Sequence, residues 1–392
     1  MASPRDHLPP ALSDDSIREL LSSIGLPKPT GIEPLRVAGV FHRIYLVHFD
    51  GGCAAALLPA RRRNDDGSMS LVLRVAGGHL PRTKTLNEVA VMAWVRAHTR
   101  IPVPAVVRFD ASPDNALGHE FMLVERAAGR CVHEVYAELG EAPKQRLVEQ
   151  LTDVLVELAR HSWSHVGGLR LDTAGGFVPG PVLDESFWTA PDVAAYWGPG
   201  ESVETLNPTG PYADHAGLVD AYLACCAHAI DVHASLALLR DTVPRLRALA
   251  ACLPSLRALA DTRLVLAHKD LHFANIMATP DGHLTAVLDW EFAGVVPACR
   301  WDPVRAFLWN GGDDSEAIRE QDSLWRLFER ALQARGVAKW WEEAGEDSTL
   351  DDIWTVVSHA RALVEACPRG QKADKVASWR EAMEAALTRL GV

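Results

Sequence analysis

Cysteine is scarce in this 392-residue chain: there are seven, an odd number, with no C-x-x-C pair and only Cys225 and Cys226 adjacent. That usage excludes a disulfide framework and fits a reducing, cytoplasmic setting. Basic charge is also short, with 39 Lys+Arg against 51 Asp+Glu and a formal net charge of −12. An acidic balance argues against nucleic acid as the main partner and tolerates a cationic ligand. No apolar run approaches the roughly 20 residues needed to span a bilayer, and the N-terminus Met1-Ala-Ser-Pro-Arg-Asp has no apolar h-region. Neither a membrane partner nor secretion is expected. Several catalytic signatures are missing as well. There is no G-x-S-x-G and no H-E-x-x-H, and the pairs His161/His165 and His268/His272 bring no further ligand at zinc spacing.

What is present is ordinary globular composition, 48% hydrophobic and 23% charged, enough for two or three compact units. Ser16-Ile-Arg-Glu19 reads as a capping box, followed by Ile17, Leu20, Leu21 and Ile24 at helical spacing. Strand-like texture covers Arg43–Phe49 and Leu71–Val75, with an exposed insertion from Gly51 to Ser70 between them. Leu86, Val89, Ala90, Ala93, Trp94 and Ala97 mark one face of a helix, and strands are expected again at Ala105–Phe109 and Glu120–Val124. After Gly129 the pattern is mainly helical. A Pro/Gly-punctuated stretch from Gly167 to Asp214 is too long for an ordinary loop and reads as a lid or a disordered insertion. The expected class is α+β, with a small sheet-rich N-terminal lobe over 1–127 and a larger, mainly helical C-terminal lobe over 128–392. The oligomeric state is not fixed by any of these features.

The chemistry concentrates between Leu264 and Glu291. An apolar strand, Leu264–Ala267, delivers His268-Lys-Asp270-Leu-His272-Phe-Ala-Asn275, and Asp281-Gly282 then turns the chain into Leu284–Asp289. Asp-Gly between strand-like runs signals a hairpin, and a two-residue turn there places Asn275 almost opposite Asp289. Two hard oxygen ligands beside a free carboxylate suit phosphoryl transfer from a Mg²⁺-nucleotide. Asn275 and Asp289 would hold the metal, and Asp270 would orient or deprotonate the accepting hydroxyl. The bland alternative is an Asp/Asn-rich surface turn.

These residues carry a resemblance. His268-x-Asp270-Leu-His272-x-x-Asn275 and Leu288-Asp289-Trp-Glu-Phe resemble the motifs of the aminoglycoside phosphotransferase/choline kinase family, the small-molecule branch of the protein-kinase-like fold. The resemblance covers most of the chain, from about Leu35 to Phe307. It implies a bilobal fold with ATP (or GTP) in the cleft and a small-molecule kinase acting on a hydroxyl. It also implies that Asp302 is a buried carboxylate bracing the catalytic loop. In the N-lobe, Arg74 stands where kinases place the strand lysine for the α/β-phosphates, and Glu88 matches that cation's partner. Arg74 is a departure, and an edge-strand Arg is the alternative. Gly39 lies in the position of the phosphate loop but is not part of a G-x-G-x-x-G. Phe121-Met122-Leu-Val124-Glu125 resembles the adenine hinge, which makes Met122 and Val124 cofactor-binding candidates.

Eight of the twelve Trp lie at or after Trp290, some beside Asp313-Asp314-x-Glu316 and Glu342-Glu343-x-x-Glu346-Asp347. Such a lobe can hold an amine through cation–π and ionic contacts, or the Trp can simply be packing. The expectation is a kinase for a small, amine-bearing metabolite or antibiotic. The rival is a nucleotide-binding pseudokinase acting as a regulatory or interaction module. His272 and the lack of an A-P-E segment disfavour a protein kinase.

Overall fold

The computed structural model describes residues 8–35, 41–302, 308–342 and 348–392. Gly39 of the expected phosphate loop lies outside them. Strands β1 (Gly31–Leu35), β2 (His42–Phe49), β3 (Met69–Ala76), β4 (Val106–Asp110) and β5 (Phe121–Glu125) form an antiparallel sheet in the order β1-β2-β3-β5-β4. Side chains alternate across its faces. Leu71, Leu73, Phe121 and Leu123 go to one face, where Ile17, Leu20 and Leu21 of helix α1 (Asp14–Ser23) cover them. Met122 and Val124 go to the other, into a second core with Val89 and Met92 of helix α2 (Thr83–His98). Arg74 stands opposite Met122 in the β3–β5 register, so it shares the α2 face. It is not an edge-strand residue, because β3 lies between β2 and β5.

Two expectations for this region need correction. Helix α1 begins before Ser16. Ser13 is its cap, its Oγ accepting from the Ser16 N–H at 3.1 Å, and Asp14 and Asp15 lie in the first turn where the helix dipole favours carboxylates. The β2–β3 connection is only partly exposed. It holds a 3₁₀ turn at Gly51–Leu57, and Leu57 and Ala60 are buried.

Beyond β5 the chain enters β6 (Arg130–Cys131) through Gly129, whose φ is +76°. A Cβ there would stand 2.1 Å from the Ala278 carbonyl oxygen, so the crossing admits only glycine. The segment expected to be a lid or disordered is folded. It contains the hairpin β7 (Gly168–Leu171)–β8 (Phe177–Gly180) and a helix at Ala190–Tyr196, and it buries Leu183, Phe187, Trp188 and Trp197 in the main core. Large aromatics at those positions gain more from burial than from solvation.

The remaining strands are β9 (Leu264–Ala267), β10 (Ile276–Ala278), β11 (Leu284–Val287) and β12 (Gly294–Pro297). The first, β9, is buried throughout and pairs with β12, while β11, β10 and β6 form a three-stranded sheet. Helices at Glu141–Ala159, His215–Val232, Val243–Cys252, Ser315–Ala334, Ser348–Arg369 and Val376–Arg389 surround this small β layer. The architecture is α+β and protein-kinase-like, an antiparallel N-terminal sheet with a mainly helical C-terminal part. Among the described residues no helix is long and apolar enough to cross a membrane.

Gly129→Ala should cost about 2 kcal/mol or more, since a left-handed conformation alone costs a side chain roughly 1–2 kcal/mol before the overlap is counted. Urea unfolding would show a lowered midpoint with an unchanged slope.

Candidate active site

The strand β9 ends at His268, which is fully buried, with Nε2 2.8 Å from the Leu288 carbonyl oxygen and Nδ1 accepting from the Asp270 N–H at 3.3 Å. That pattern assigns a neutral ring with the proton on Nε2, and burial lowers the His268 pKa in the same sense. Lys269 has φ +66° and donates from Nζ to the Leu183 carbonyl at 2.7 Å, so the loop is also stapled to the folded 167–214 segment. His268 braces the loop through its two bonds, and Asp302, expected to be buried, is exposed.

The hairpin turn has three residues rather than two. Gly282 donates to the Thr279 carbonyl, and Thr279 donates to the His283 carbonyl, both at 2.9 Å, with Gly282 at φ +80°. A bulge between Met277 and Ala278 absorbs the extra residue, so Ile276 still faces Val287. The Leu288 N–H donates to the Asn275 carbonyl at 2.8 Å, which leaves Asn275 and Asp289 one step apart across the ladder.

Asn275 is buried, and its Nδ2 donates to the Asp270 carbonyl at 2.9 Å and to Asp270 Oδ2 at 3.0 Å. Its Oδ1 thus has no acceptor duty elsewhere among the described residues. His272 Nε2 lies 3.4 Å from Asp270 Oδ1. The contact with Asp270 raises the His272 pKa. Partial burial works against the Asp270 carboxylate, but His272 and the Asn275 amide outweigh it and hold its pKa below the usual range. Asp270 is therefore ionised at neutral pH.

Across from this loop is a buried charge cluster. Arg74 Nη1 donates to Glu88 Oε1, and Nη2 donates to Asp289 Oδ1 at 2.6 Å. Lys84 Nζ donates to Glu291 Oε2 at 2.5 Å, and His42 Nδ1 lies 3.6 Å from the same oxygen. Positions 84, 87 and 88 share one face of α2, by the i, i+3, i+4 rule. Asn87, between the two charges, donates to the Ala293 carbonyl at 2.9 Å and accepts from the Leu169 N–H at 2.9 Å. Burial alone would lower the Arg74 pKa, but Glu88, Asp289 and Glu291 raise it above its ordinary value. Burial pushes Glu88 and Glu291 up despite their cations. Lys84, Asn87, Glu291 and His42 were not singled out from the sequence. The helical spacing of Lys84 and Glu88 was the signal that could have found the first two.

Met122 and Val124 occupy the interior strand β5, where their backbones pair with Arg74 and Val72 of β3. Their buried side chains, not their backbone groups, face the α2 side, so the hinge reading shifts to the residues after β5. At the end of β5 and just beyond it, the Glu125 and Arg126 N–H groups are already taken, by the Ala105 carbonyl at 2.8 Å and the Ser70 carbonyl at 3.3 Å. The backbone that follows, around Ala127, is where the ladder ends.

The aromatic and acidic C-terminal features are mostly structural. Trp290 and Trp340 are fully buried, and Arg300 covers Trp354 at 4.1 Å. Asp314 caps the helix Ser315–Ala334, accepting from the Glu316 and Ala317 N–H groups at 2.8 and 2.9 Å. Residues 343, 346 and 347 of the second acidic group lie outside the described residues. A carboxylate the sequence did not flag, Glu185, stands near the 268–275 loop, close enough to interact with Asp270. Partial burial, then Asp270, Asp184 and Asp289, raise its pKa, and it has no cation partner among the described residues.

The chain matches the phosphotransferase enzyme family over residues 58–321, and it belongs to that family. It is similar to the clavilactone A biosynthesis cluster protein Y of Ampulloclitocybe clavipes, 27% identical over 327 residues that cover 80% of this chain and 73% of that protein. Among solved structures it resembles a thermostable mutant of the aminoglycoside phosphotransferase APH(4)-Ia in ternary complex with AMP-PNP and hygromycin B, at 16% identity and a TM-score of 0.46, covering 94% of this chain and 97% of that one. The streptomycin–ATP–APH(2")-IIa ternary complex is similar at 13% identity and a TM-score of 0.48, covering 93% of this chain and 99% of the other.

Two outcomes follow from the geometry. Arg74→Ala strands Glu88, whose side chain is 2% exposed, and should destabilise the protein by up to about 3–5 kcal/mol, with Arg74→Lys recovering part; urea unfolding of the three proteins checks it. The His272–Asp270 pair is charged on both sides only between the lowered Asp270 midpoint and the raised His272 midpoint. Its contribution from His272 is present below pH ~6.5 and lost as pH rises through the raised value. In Asp270→Asn the His272 midpoint, read by NMR of the ring protons, should fall back toward ~6.5.

Proposed function

We propose that this phosphotransferase moves the γ-phosphoryl group of ATP or GTP to a hydroxyl on a small, amine-bearing acceptor, in the cytoplasm. What supports the reading most is one convergence. The Asp270 carboxylate is bonded to the Asn275 amide at the mouth of the hairpin whose other strand leads to Asp289, and a cation from the facing sheet, Arg74, reaches Asp289 at 2.6 Å.

The donor set fits Mg²⁺. Asn275 spends its Nδ2 on Asp270, which leaves an oxygen, and Asp289 keeps one carboxylate oxygen beyond its bond to Arg74. Hard oxygen donors and few of them are what Mg²⁺ takes when substrate phosphates complete the shell. When bound there by Asn275 and Asp289, the ion would offset charge on the phosphates. Arg74, held by Glu88, would contact the α/β-phosphates through its planar fork. Met122 and Val124 would line the cleft with apolar side chains.

Asp270 would accept the hydrogen bond of the acceptor hydroxyl. A carboxylate with a lowered pKa is a weak base, so its main work is to orient the oxygen and receive the proton late. That suits a loose transition state in which little base strength is needed. Glu185, a carboxylate without a cation beside Asp270, supports an ammonium group on the acceptor.

The test is ADP release from wild type, Asp270→Asn and Asp289→Ala across hydroxylated amines and amino alcohols, with calorimetry of Mg-ATP binding. Asp270→Asn should lose at least about 100-fold in turnover while Mg-ATP affinity stays within about tenfold. Asp289→Ala should lose both. Near-wild-type turnover in Asp270→Asn would remove Asp270 from the chemistry, and unchanged affinity in Asp289→Ala would remove the metal from that residue. Mg-ATP binding with no turnover on any acceptor would favour a pseudokinase.

A further inference from the structure

Among the described residues other than glycine, four have a positive φ: Arg82, Lys269, Asp289 and Lys372. Two of these belong to the candidate site, and Lys269 directly precedes Asp270. At φ +66° a lysine carries a Cβ penalty that glycine would escape. Lys269 is exposed, so packing does not hold it in that conformation. Bonds do. The Asp270 N–H donates to His268 Nδ1 at 3.3 Å, and Lys269 Nζ donates to the Leu183 carbonyl at 2.7 Å. A bond from a charged donor is of the same order as the penalty. Glycine would remove the strain and the side-chain bond together. Strain kept next to Asp270, by a side chain that reaches another segment, points to a task for that side chain.

The segment at the other end of that bond is braced in its own right. A tight turn follows Leu183. The Phe187 N–H donates to the Asp184 carbonyl at 3.1 Å, and the Ser186 N–H donates to Asp184 Oδ1 at 3.0 Å. Glu185 is the second residue of that turn, so its backbone is fixed relative to Leu183. The helix Ser348–Arg369 holds the same turn from outside. Arg361 Nη2 donates to Ser186 Oγ and lies 3.4 Å from Asp184 Oδ1, and Arg369 covers Trp188 at 4.0 Å. Lys269 joins this clamped turn to the loop that carries Asp270. Glu185 and Asp270 are close enough to interact, and as carboxylates they repel. Like charges move apart unless something holds their backbones. The Lys269 bond is such a restraint.

We propose that Lys269 is a positioning residue for acceptor selection: its bond to Leu183 holds Glu185 at a set distance from Asp270, and so sets the spacing of amine and hydroxyl that an acceptor must have. The spacing rests on the phosphotransferase reading, whereas the tether does not. Without the tether the turn stays on the C-terminal helix through Arg361, and Asp270 keeps its bonds to His268 and Asn275. The fold survives, and the register between the two carboxylates is lost.

The probes are amino alcohols of graded length between nitrogen and hydroxyl, with ADP release as the readout. Wild type should favour one length. In Lys269→Met, which keeps the stem and removes the donor, kcat on that length should fall about 10–100-fold, the scale of a small misplacement. The preference among lengths should flatten, while KM for Mg-ATP stays within about twofold. Lys269→Gly accepts the backbone conformation without strain and should lose the preference too. Lys269→Arg returns a donor and should recover part of it. Wild-type preference in Lys269→Met or Lys269→Gly overturns the proposal, and so do equal losses in all three variants. Hydrogen exchange reads the tether without any acceptor. In Lys269→Met, peptides spanning 183–188 and 268–276 should exchange at least about tenfold faster than in wild type, with the helix Val376–Arg389 unchanged. Unchanged exchange in both peptides overturns the tether whatever the kinetics show. Faster exchange with no transfer by wild type to any acceptor keeps the tether and overturns the phosphotransferase reading, and acceptor selection with it.

Discussion

The bond from Arg74 to Glu88 and Asp289 is the constraint on which the rest of the structure depends. Glu88, Lys84 and Glu291 are buried and Arg74 nearly so, while the Asp289 side chain is 31% exposed, so for most of the cluster water cannot compensate an error. Burying such groups is costly unless every partner is in place, and a missing partner costs more than the pair contributes. The cluster is therefore weak evidence for stability and strong evidence for geometry. It holds only if β3 has its register, α2 its rotation and the β10–β11 hairpin its length. The three-residue turn and the compensating bulge at Met277/Ala278 keep that length right.

Helix α2 is the joint. Lys84 and Glu88 grip opposite sides of the cluster, and Asn87 between them bonds to backbone on both β7 and the segment after Asp289. An amide suits that post because it donates and accepts at once without adding charge. The folded segment around β7–β8 is thus no passive insertion. It bears on α2 at one end, and near Leu183 it accepts the Lys269 bond that shapes the catalytic loop. Sheet, helix, loop and the 167–214 segment form one connected set of polar contacts.

How much of this was legible follows from sequence separation. Asp270, Asn275 and Asp289 are joined by a local hairpin, so spacing and turn residues were enough to bring them together. Arg74 and Glu88 were reachable because β3 and α2 are consecutive and their periods are clear. Lys84 and Glu291 are 207 positions apart, and no local pattern links them. Asp302 was expected to be buried by likeness alone and is exposed, whereas the burial of His268 is something no period could reveal. The disordered alternative for segment 167–214 failed because Pro and Gly punctuation hid its aromatic anchors. Met122 and Val124 were placed on the right strand, but alternation decides face, not whether a backbone group is free.

The bonds of Arg74 also order the proposed binding events. Arg74 already spends one nitrogen on Glu88 and another on Asp289, so a phosphate that takes the second nitrogen must release Asp289. An unpaired carboxylate in that cleft is costly, unless a cation replaces the one removed. Under the proposed assignment, Mg²⁺ on Asp289 and phosphate on Arg74 would therefore make each other cheaper. Metal alone would leave Arg74 short of a partner, and nucleotide alone would leave Asp289 short of one. Linkage makes that coupling reciprocal. Arg74 would strengthen that proposed coupling, since one planar group serves Glu88 and Asp289 at the same time and cannot shed its proton to escape the conflict.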